Sequence, residues 1–197
     1  MPNSAYPNRI WYALTASWRK RYVLKQYLCK PSLQIKTVEA LTLRALQQQE
    51  IKVLILDFDG VLGPDHALGP LPTLIPWLNE MYQHFEDQLY ILSNKPLPAR
   101  AAFFAEHYPK VQFIKNVAKK PFPDGLLYIQ SLSGVATTQM LLCDDRLLTG
   151  ILAAELAGIK ALWVTEPCRD FMGRFLHEAF FSLLRLLDKA FIHSSTW

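Results

Sequence analysis

Two carboxylates stand two positions apart in Asp57-Phe58-Asp59-Gly60, at the end of an apolar run over residues 52–58. On an extended segment, side chains at i and i+2 point the same way, so both acids face one spot. Like charges that close repel each other and need a cation or a shared proton between them. Other apolar runs lead to residues that could join them. Ser93-Asn94 supplies a hydroxyl and an amide, Lys119-Lys120 two ammonium groups before Pro121, and Asp144-Asp145 two more carboxylates. Each signal has an ordinary alternative. Asp-x-Asp also occurs in sugar-nucleotide transferases, Ser-Asn is a common turn pair, Lys-Lys before proline is more often solvated, and Asp-Asp can cap the next helix. Their conjunction is what carries weight. Three or four acids, one cation and one hydroxyl at successive run ends make a magnesium-dependent phosphate site, with hard oxygen ligands for a hard ion.

Such residues meet only if the runs that carry them share a sheet. The runs at 52–58, 88–93, 111–115, 139–144 and 160–164 are short, nearly continuous and rich in Val, Ile and Leu. That pattern predicts parallel strands covered on both faces. Helical patterns lie between them at 72–86, 97–108, 123–133 and 147–157. Pro96 and Pro98 open the second, Pro121 and Pro123 the third, and Gly158 closes the fourth. The alternation predicts an α/β fold, a three-layer doubly wound Rossmann-like parallel sheet whose ligands sit beyond the C-terminal strand ends.

The chain has 197 residues, 51% of them hydrophobic and 19% charged. This suits one α/β domain with a short extra segment and excludes wholesale disorder. No uncharged apolar run reaches the ~18–20 residues of a membrane-spanning helix, and the front end lacks a signal peptide's clean apolar region. Cys29, Cys143 and Cys168 are odd in number and widely spaced, which fits a reducing compartment without disulfides or zinc. The net charge of +4 is uneven: residues 1–50 hold eight Lys or Arg and two acids, whereas residues 51–197 hold thirteen and fifteen.

Residues 1–29 therefore read as a basic, aromatic N-terminal arm. Ile10, Trp11, Leu14, Trp18 and Tyr22 recur at near-helical spacing beside Arg19, Lys20, Arg21 and Lys25. That is the pattern of an interfacial helix on an anionic surface, a bilayer or, as the lesser expectation, nucleic acid. Residues 30–168 form the main domain, and 169–197 an amphipathic helix and tail. In that helix, over 171–192, Arg174, Glu178, Arg185 and Lys189 make a polar stripe among Phe171, Phe175, Phe180, Phe181, Leu184, Leu187 and Phe191. It would pack on the sheet, form a homo-oligomer or, like the arm, meet a membrane surface.

The motifs resemble those of the haloacid dehalogenase (HAD) superfamily of aspartate-nucleophile phosphatases. Residues 57–62 match its motif I, Ser93 motif II, Lys120 motif III and Asp144-Asp145 motif IV, over about residues 30–167. Within the superfamily the chain is most similar to the capless phosphatidylglycerophosphate phosphatase group. The likeness rests on Lys30-Pro31, Glu50-Ile51-Lys52, Ser93-Asn94 with a following Arg100, and Lys120-Pro121. Motif IV departs from that group: its glycine before the Asp is Asp144 here, and its downstream Asp falls on Gly150. The superfamily also uses an Asp-Asp form. The resemblance implies Asp57 as nucleophile and Asp59 as general acid and base. It implies Mg2+ held by Asp57, Asp145 and the carbonyl of Asp59, with Asp144 as an alternative ligand. Ser93 and Lys120 would bind phosphate, and Asn94 the phosphate or leaving group.

Spacing bears on the substrate. From Gly60 to Leu89 there are 30 residues and from Asn94 to Lys119 there are 26. Units below roughly 40 residues rarely stand alone, so neither gap holds a cap domain and the site is open. Residues 61–70 are the one candidate flap, with His66 a turn residue or a substrate contact. An open site suits a phosphate on something large. The expected activity is magnesium-dependent phosphomonoester hydrolysis through an aspartyl-phosphate, converting phosphatidylglycerophosphate to phosphatidylglycerol. The expected location is cytoplasmic, peripheral at the inner membrane face, or on the matrix side of a mitochondrial membrane. Alternatives are the same chemistry on a phosphoprotein or nucleic-acid end, or a degenerate HAD fold that only binds, for which Gly150 is the motive.

Overall fold

A computed structural model describes residues 6–65 and 67–194, without the side chains of 171–175, 177, 178 and 181. Helices α1 (Arg9–Arg19) and α2 (Arg21–Cys29) precede an edge strand β1 (Gln34–Ile35) and α3 (Leu43–Gln48). Then β2 (Val53–Leu56), α4 (Ile75–Phe85), β3 (Leu89–Ile91), α5 (Pro98–His107), β4 (Gln112–Phe113), α6 (Asp124–Ser133), β5 (Met140–Asp144), α7 (Leu152–Ala157) and β6 (Lys160–Val164) follow, and α8 (Phe171–Ser194) closes the chain. The sheet order is β1-β6-β5-β2-β3-β4, and every pairing is parallel. The five expected strands are present with trimmed ends. β1 was not expected, because two residues carry no apolar run or alternation. The helix expected over 147–157 is divided: a π-helical turn, Leu147–Ile151, leads into α7.

β2 shows how the layers arise. Its Val-Leu-Ile-Leu is apolar at every position and fully buried, as a central parallel strand must be. Leu54 and Leu56 face a core shared with Trp77, Leu78 and Met81 of α4 and Phe104 of α5. Val53 and Ile55 face the opposite core, with Leu126 and Ile129 of α6 and Leu152 of α7. That second core also takes Ala16 of α1 and Leu24 and Tyr27 of α2. The Tyr27 hydroxyl donates to Glu155 Oε1 at 2.7 Å, and Lys20 Nζ to the Glu155 carbonyl at 3.1 Å. One side of the basic front end is thus built into the fold, while Ile10, Trp11, Trp18 and Tyr22 remain exposed.

Strand order reverses at β2: the chain moves toward β3 and β4 on one side, and β5 leads to β6 on the other. The crevice above the β2–β5 boundary is where such a sheet binds ligands. Among the described residues, the segment between β2 and β3 holds a loop and α4, and that between β3 and β4 holds α5, so no cap is inserted. His66 and the side chains of Phe171, Arg174, Phe175, Glu178 and Phe181 lie outside the described residues. No helix among the described residues is long and apolar enough to cross a membrane.

Candidate active site

Asp57 follows β2 while still in the ladder, its N–H donating to the Cys143 carbonyl at 3.0 Å. Asp144 ends β5, and Asp145 follows it. One oxygen from each of Asp57, Asp144 and Asp145 lies within 4.8 Å of the others, and all three residues are buried. Lys120, 2% exposed, places Nζ 2.6 Å from Asp144 Oδ2 and 3.1 Å from Asp57 Oδ1. Burial holds the Asp57 carboxyl well above the usual carboxylate range; Lys120 opposes this, and Asp144, Asp59 and Asp145 add to it. Burial likewise pushes Asp145 up to about 6 against the pull of Arg185. Burial alone would lower the Lys120 pKa, but Asp144 and Asp57 outweigh it and keep the ammonium charged. The acids therefore crowd closer than their charges allow without further positive charge.

Two glycines make this approach sterically feasible. Gly60 turns the chain within motif I, just after Asp59, with φ at +83°, and a Cβ there would meet Asp145 Oδ2 at 2.7 Å. Gly150 lies in the π-helical turn, where a Cβ would fall 1.8 Å from Asp144 Oδ2. The Asp144 carboxylate thus fills the space a side chain at 150 would need. Arg146 N–H donates to its other oxygen at 2.9 Å.

Asp59 belongs to a different set of partners. Its Oδ2 accepts from the Ser93 hydroxyl at 2.9 Å, and its Oδ1 pairs with Arg100 Nη2 at 3.0 Å. Arg100 is wholly buried. It donates to the Ala67, Asp65 and Lys95 carbonyls and lies 3.7 Å from the centre of the Phe58 ring. Burial raises the Asp59 pKa, against the opposing effects of Arg100 and Ser93. Its side chain therefore stands apart from the three-acid group, as a role for Asp59 in proton transfer requires and as a metal contact through its carbonyl allows.

The remaining expected residues divide by function. Asn94 clamps the Lys120 main chain: its Oδ1 accepts from Lys120 N–H at 2.7 Å, and its Nδ2 donates to the Lys120 carbonyl at 3.2 Å. With both ends so engaged, it positions Lys120, and the geometry does not favour the expected phosphate contact. Helix α8, whose polar stripe was expected to serve packing or a surface contact, reaches the site. Arg185 Nε donates to Asp145 Oδ2 at 2.5 Å, and Asp188 accepts from Arg146 Nε at 2.9 Å. Trp163 Nε1 donates to the Asp145 carbonyl at 3.1 Å. Arg185 and Asp188 stand three apart on a helix and so share a face. That spacing was the available signal for them, whereas Trp163 looked like any strand residue.

A family model described as mitochondrial PGP phosphatase matches residues 15–169. The chain belongs to this HAD-like family. A member of the PGP phosphatase family is a hydrolase acting on phosphoric monoesters, which is what the convergence of Asp57, Asp59 and Lys120 is suited to do. The match begins inside α1 and so takes in the buried residues of α2. A solved structure of an uncharacterized protein from Listeria monocytogenes serotype 4b is similar at 17% identity, over 61% of this chain and 83% of that one, with a TM-score of 0.49. No curated protein matches the chain.

The family implies a metal cofactor, and the residues fit one. Three buried carboxylates with raised or crowded charge offer the oxygen donors a hard cation takes. The departure at motif IV also closes in space. Where the resembling group has glycine then aspartate, this chain has Asp144 then Gly150, and the Asp144 carboxylate occupies the side-chain space of position 150.

Proposed function

We propose that the protein hydrolyses phosphatidylglycerophosphate to phosphatidylglycerol through a phosphorylated Asp57. The observation that supports this best is the separation of the acids into two sets. Asp57 and Asp144 share Lys120 and Asp145 beside them pairs with Arg185, whereas Asp59 is held apart by Ser93 and Arg100. Asp57 Oδ1 accepts from Phe58 N–H at 2.8 Å and pairs with Lys120, which leaves Oδ2 to attack phosphorus. The P–O bond to glycerol breaks as the Asp57–phosphorus bond forms, and Asp59 delivers its proton to the leaving oxygen. The raised pKa of Asp59 favours that protonated form. A water then attacks the acyl phosphate, gives its proton to Asp59 and releases phosphate from Asp57. Lys120 holds the phosphoryl oxygens, with Asn94 fixing it in place, and Ser93 joins it by turning its hydroxyl from Asp59 to the phosphate as Asp59 takes up its proton.

Asp57, Asp144 and Asp145 would hold Mg2+, which when bound offsets charge between carboxylates and phosphate. Asp144, the alternative ligand of the motif resemblance, thus joins Asp57 and Asp145 in that set. The surface supports a membrane substrate. The outer side of α1 and α2 exposes Trp11, Trp18 and Tyr22, and the Arg21 guanidinium lies over the Trp18 and Tyr22 rings at 5.1 and 4.4 Å. On α8, Leu176, Phe180, Leu183 and Leu187 are exposed as well. Aromatic and basic groups together suit the headgroup layer of an anionic inner membrane, approached from its matrix or cytoplasmic face.

The test is Mg2+-dependent phosphate release from a panel of phosphatidylglycerophosphate vesicles, phosphopeptide, 5′-phosphorylated oligonucleotide and an aryl phosphate. The lipid should be turned over fastest. Preference for the peptide or oligonucleotide would reassign the substrate, and no release from any of them would leave only a binding fold.

A further inference from the structure

Beside the acid cluster, a cavity of about 140 Å³ opens between α8 and the C-terminal end of β6. Asp145 forms its boundary with the cluster, and Thr165, Arg169, Ser182, Arg185 and Lys189 add polar side chains to its wall. Asp188 also lines it but is engaged with Arg146 at 2.9 Å. Lys189 Nζ lies 4.9 Å from the Trp163 ring centre, on the same wall. The cavity thus has three cationic side chains against two acids, each of those acids already paired with an arginine.

Two polar atoms here have no partner: Arg185 Nη1 and Ser182 Oγ are both buried without a hydrogen bond. Buried donors are seldom left so, because the hydration they gave up is then not replaced. The rest of the Arg185 guanidinium faces the acid cluster. Its Nε is on Asp145 Oδ2, and its Nη2 lies 3.2 Å from where a Cβ on Gly60 would stand. It therefore spans from motif I and the acid cluster to the cavity. An arginine fork with one unused nitrogen beside an unused hydroxyl suits an oxyanion with several acceptor oxygens and a single charge.

We infer that this cavity seats the second, diester phosphate of the lipid substrate, one glycerol unit away from the monoester phosphate at Asp57, with Arg185 Nη1 and Ser182 Oγ as its donors. The inference rests on the phosphatase reading above. Phosphatidylglycerophosphate carries a monoester and a diester phosphate on the two ends of one glycerol. A site that binds both at once distinguishes it from phosphomonoesters that lack the diester. Arg169 and Lys189 supply the positive field that favours the anion over water. An open, capless site gains its selectivity in this way from a second anchoring point, where a capped one would enclose the substrate.

The test uses the full chain with Mg2+ and isothermal titration of two soluble probes: glycerophosphoglycerol, which has the diester without a monoester, and inorganic phosphate. The wild-type protein should bind glycerophosphoglycerol saturably. Ser182→Ala should weaken that binding about fivefold by removing one donor, and Ser182→Glu more than about tenfold by setting a carboxylate against the diester. Phosphate affinity should fall by a smaller factor in both. On vesicles, the KM for phosphatidylglycerophosphate should rise in the same order, with kcat changed less. Equal glycerophosphoglycerol affinity in all three proteins would overturn the inference, as would parallel losses for both probes. Ser182→Ala keeps the test decisive should the glutamate variant not fold. Hydrolysis of an aryl phosphate by the wild type, without glycerophosphoglycerol binding, would reject the subsite and leave the phosphatase reading standing. Absence of all hydrolysis would reject both.

Discussion

The two carboxylate sets at the C-terminal ends of the central strands are held by different kinds of cation. Asp59, on the β2–β3 side, is pinned by Arg100, a wholly buried residue that also joins three main-chain carbonyls of the flanking loops. Asp144 and Asp145, on the β5–β6 side, meet Lys120 and Arg185. Those two cations come from a loop and from the last helix, and they contact the very carboxylates suited to a metal. The first arrangement is scaffolding, made once when the chain folds. The second is an electrostatic balance that a bound cation and a phosphate would redistribute. Acid groups of one type are thereby given separate tasks by what surrounds them.

The largest effect should come from the group that neither arrangement can replace. Asp57→Asn is expected to lower turnover by at least ~10³-fold, with the circular dichroism spectrum unchanged. Near-normal activity would remove Asp57 as nucleophile. Next in size is the scaffold. Arg100→Met strands buried carbonyls and the Asp59 charge, so it should cost about 3–5 kcal/mol of stability and ~10²-fold in kcat through a misplaced proton donor. A loss of activity at unchanged stability, read by urea unfolding, would mean that Arg100 acts on substrate and is not scaffolding.

The β5–β6 side offers a paired test. Asp144→Gly should lower activity by about 10²-fold, and Gly150→Asp should fail because its side chain meets Asp144. Together the two changes should recover much of the loss, since one carboxylate is restored to one place. A double variant no better than the worse single would show that the positions are not exchangeable.

These residues also show what was legible beforehand. The central strands were plain because parallel strands buried on both faces must be continuous in Val, Ile and Leu, as in residues 53–56. Asp57, Lys120, Asp144 and Asp145 were legible because strand ends are few and chemically conspicuous. Gly150 read as a departure from motif IV, since only the fold reveals that the Asp144 carboxylate lies where a side chain at 150 would begin. Arg185 and Asp188 were hidden by their helix, whose apolar majority fits packing equally well. The amphipathic front end was read as an arm because its exposed aromatics and cations outweigh the few buried positions, Ala16, Leu24 and Tyr27.

A smaller effect separates the two sides by pH. Asp57, Asp59 and Asp145 all hold protons more tightly in the fold than in the unfolded chain, Asp145 up to about 6. The folded protein then binds more protons than the unfolded one above about pH 4, so metal-free stability falls as pH rises through about 6. A divalent cation takes over the protons' role at Asp57 and Asp145. Mg2+ should therefore raise Tm more at pH 7.5 than at pH 5. The opposite order would place the ion elsewhere. The smallest effect should lie on the outer surface. Trp18→Ala with Arg19→Ser and Arg21→Ser should weaken binding to anionic vesicles about tenfold at low salt, and less at high salt. No change in flotation would remove this face from the membrane contact.

The central claim is that the phosphoryl group passes through Asp57, and it is tested most directly by trapping. The protein is mixed with Mg2+ and phosphatidylglycerophosphate labelled in its monoester phosphate, quenched in acid during turnover, and digested for mass spectrometry. The label should be found on the Asp57 side chain, and be absent from Asp57→Asn. Full turnover with no phosphorylated protein, or a label on another residue, would contradict the account.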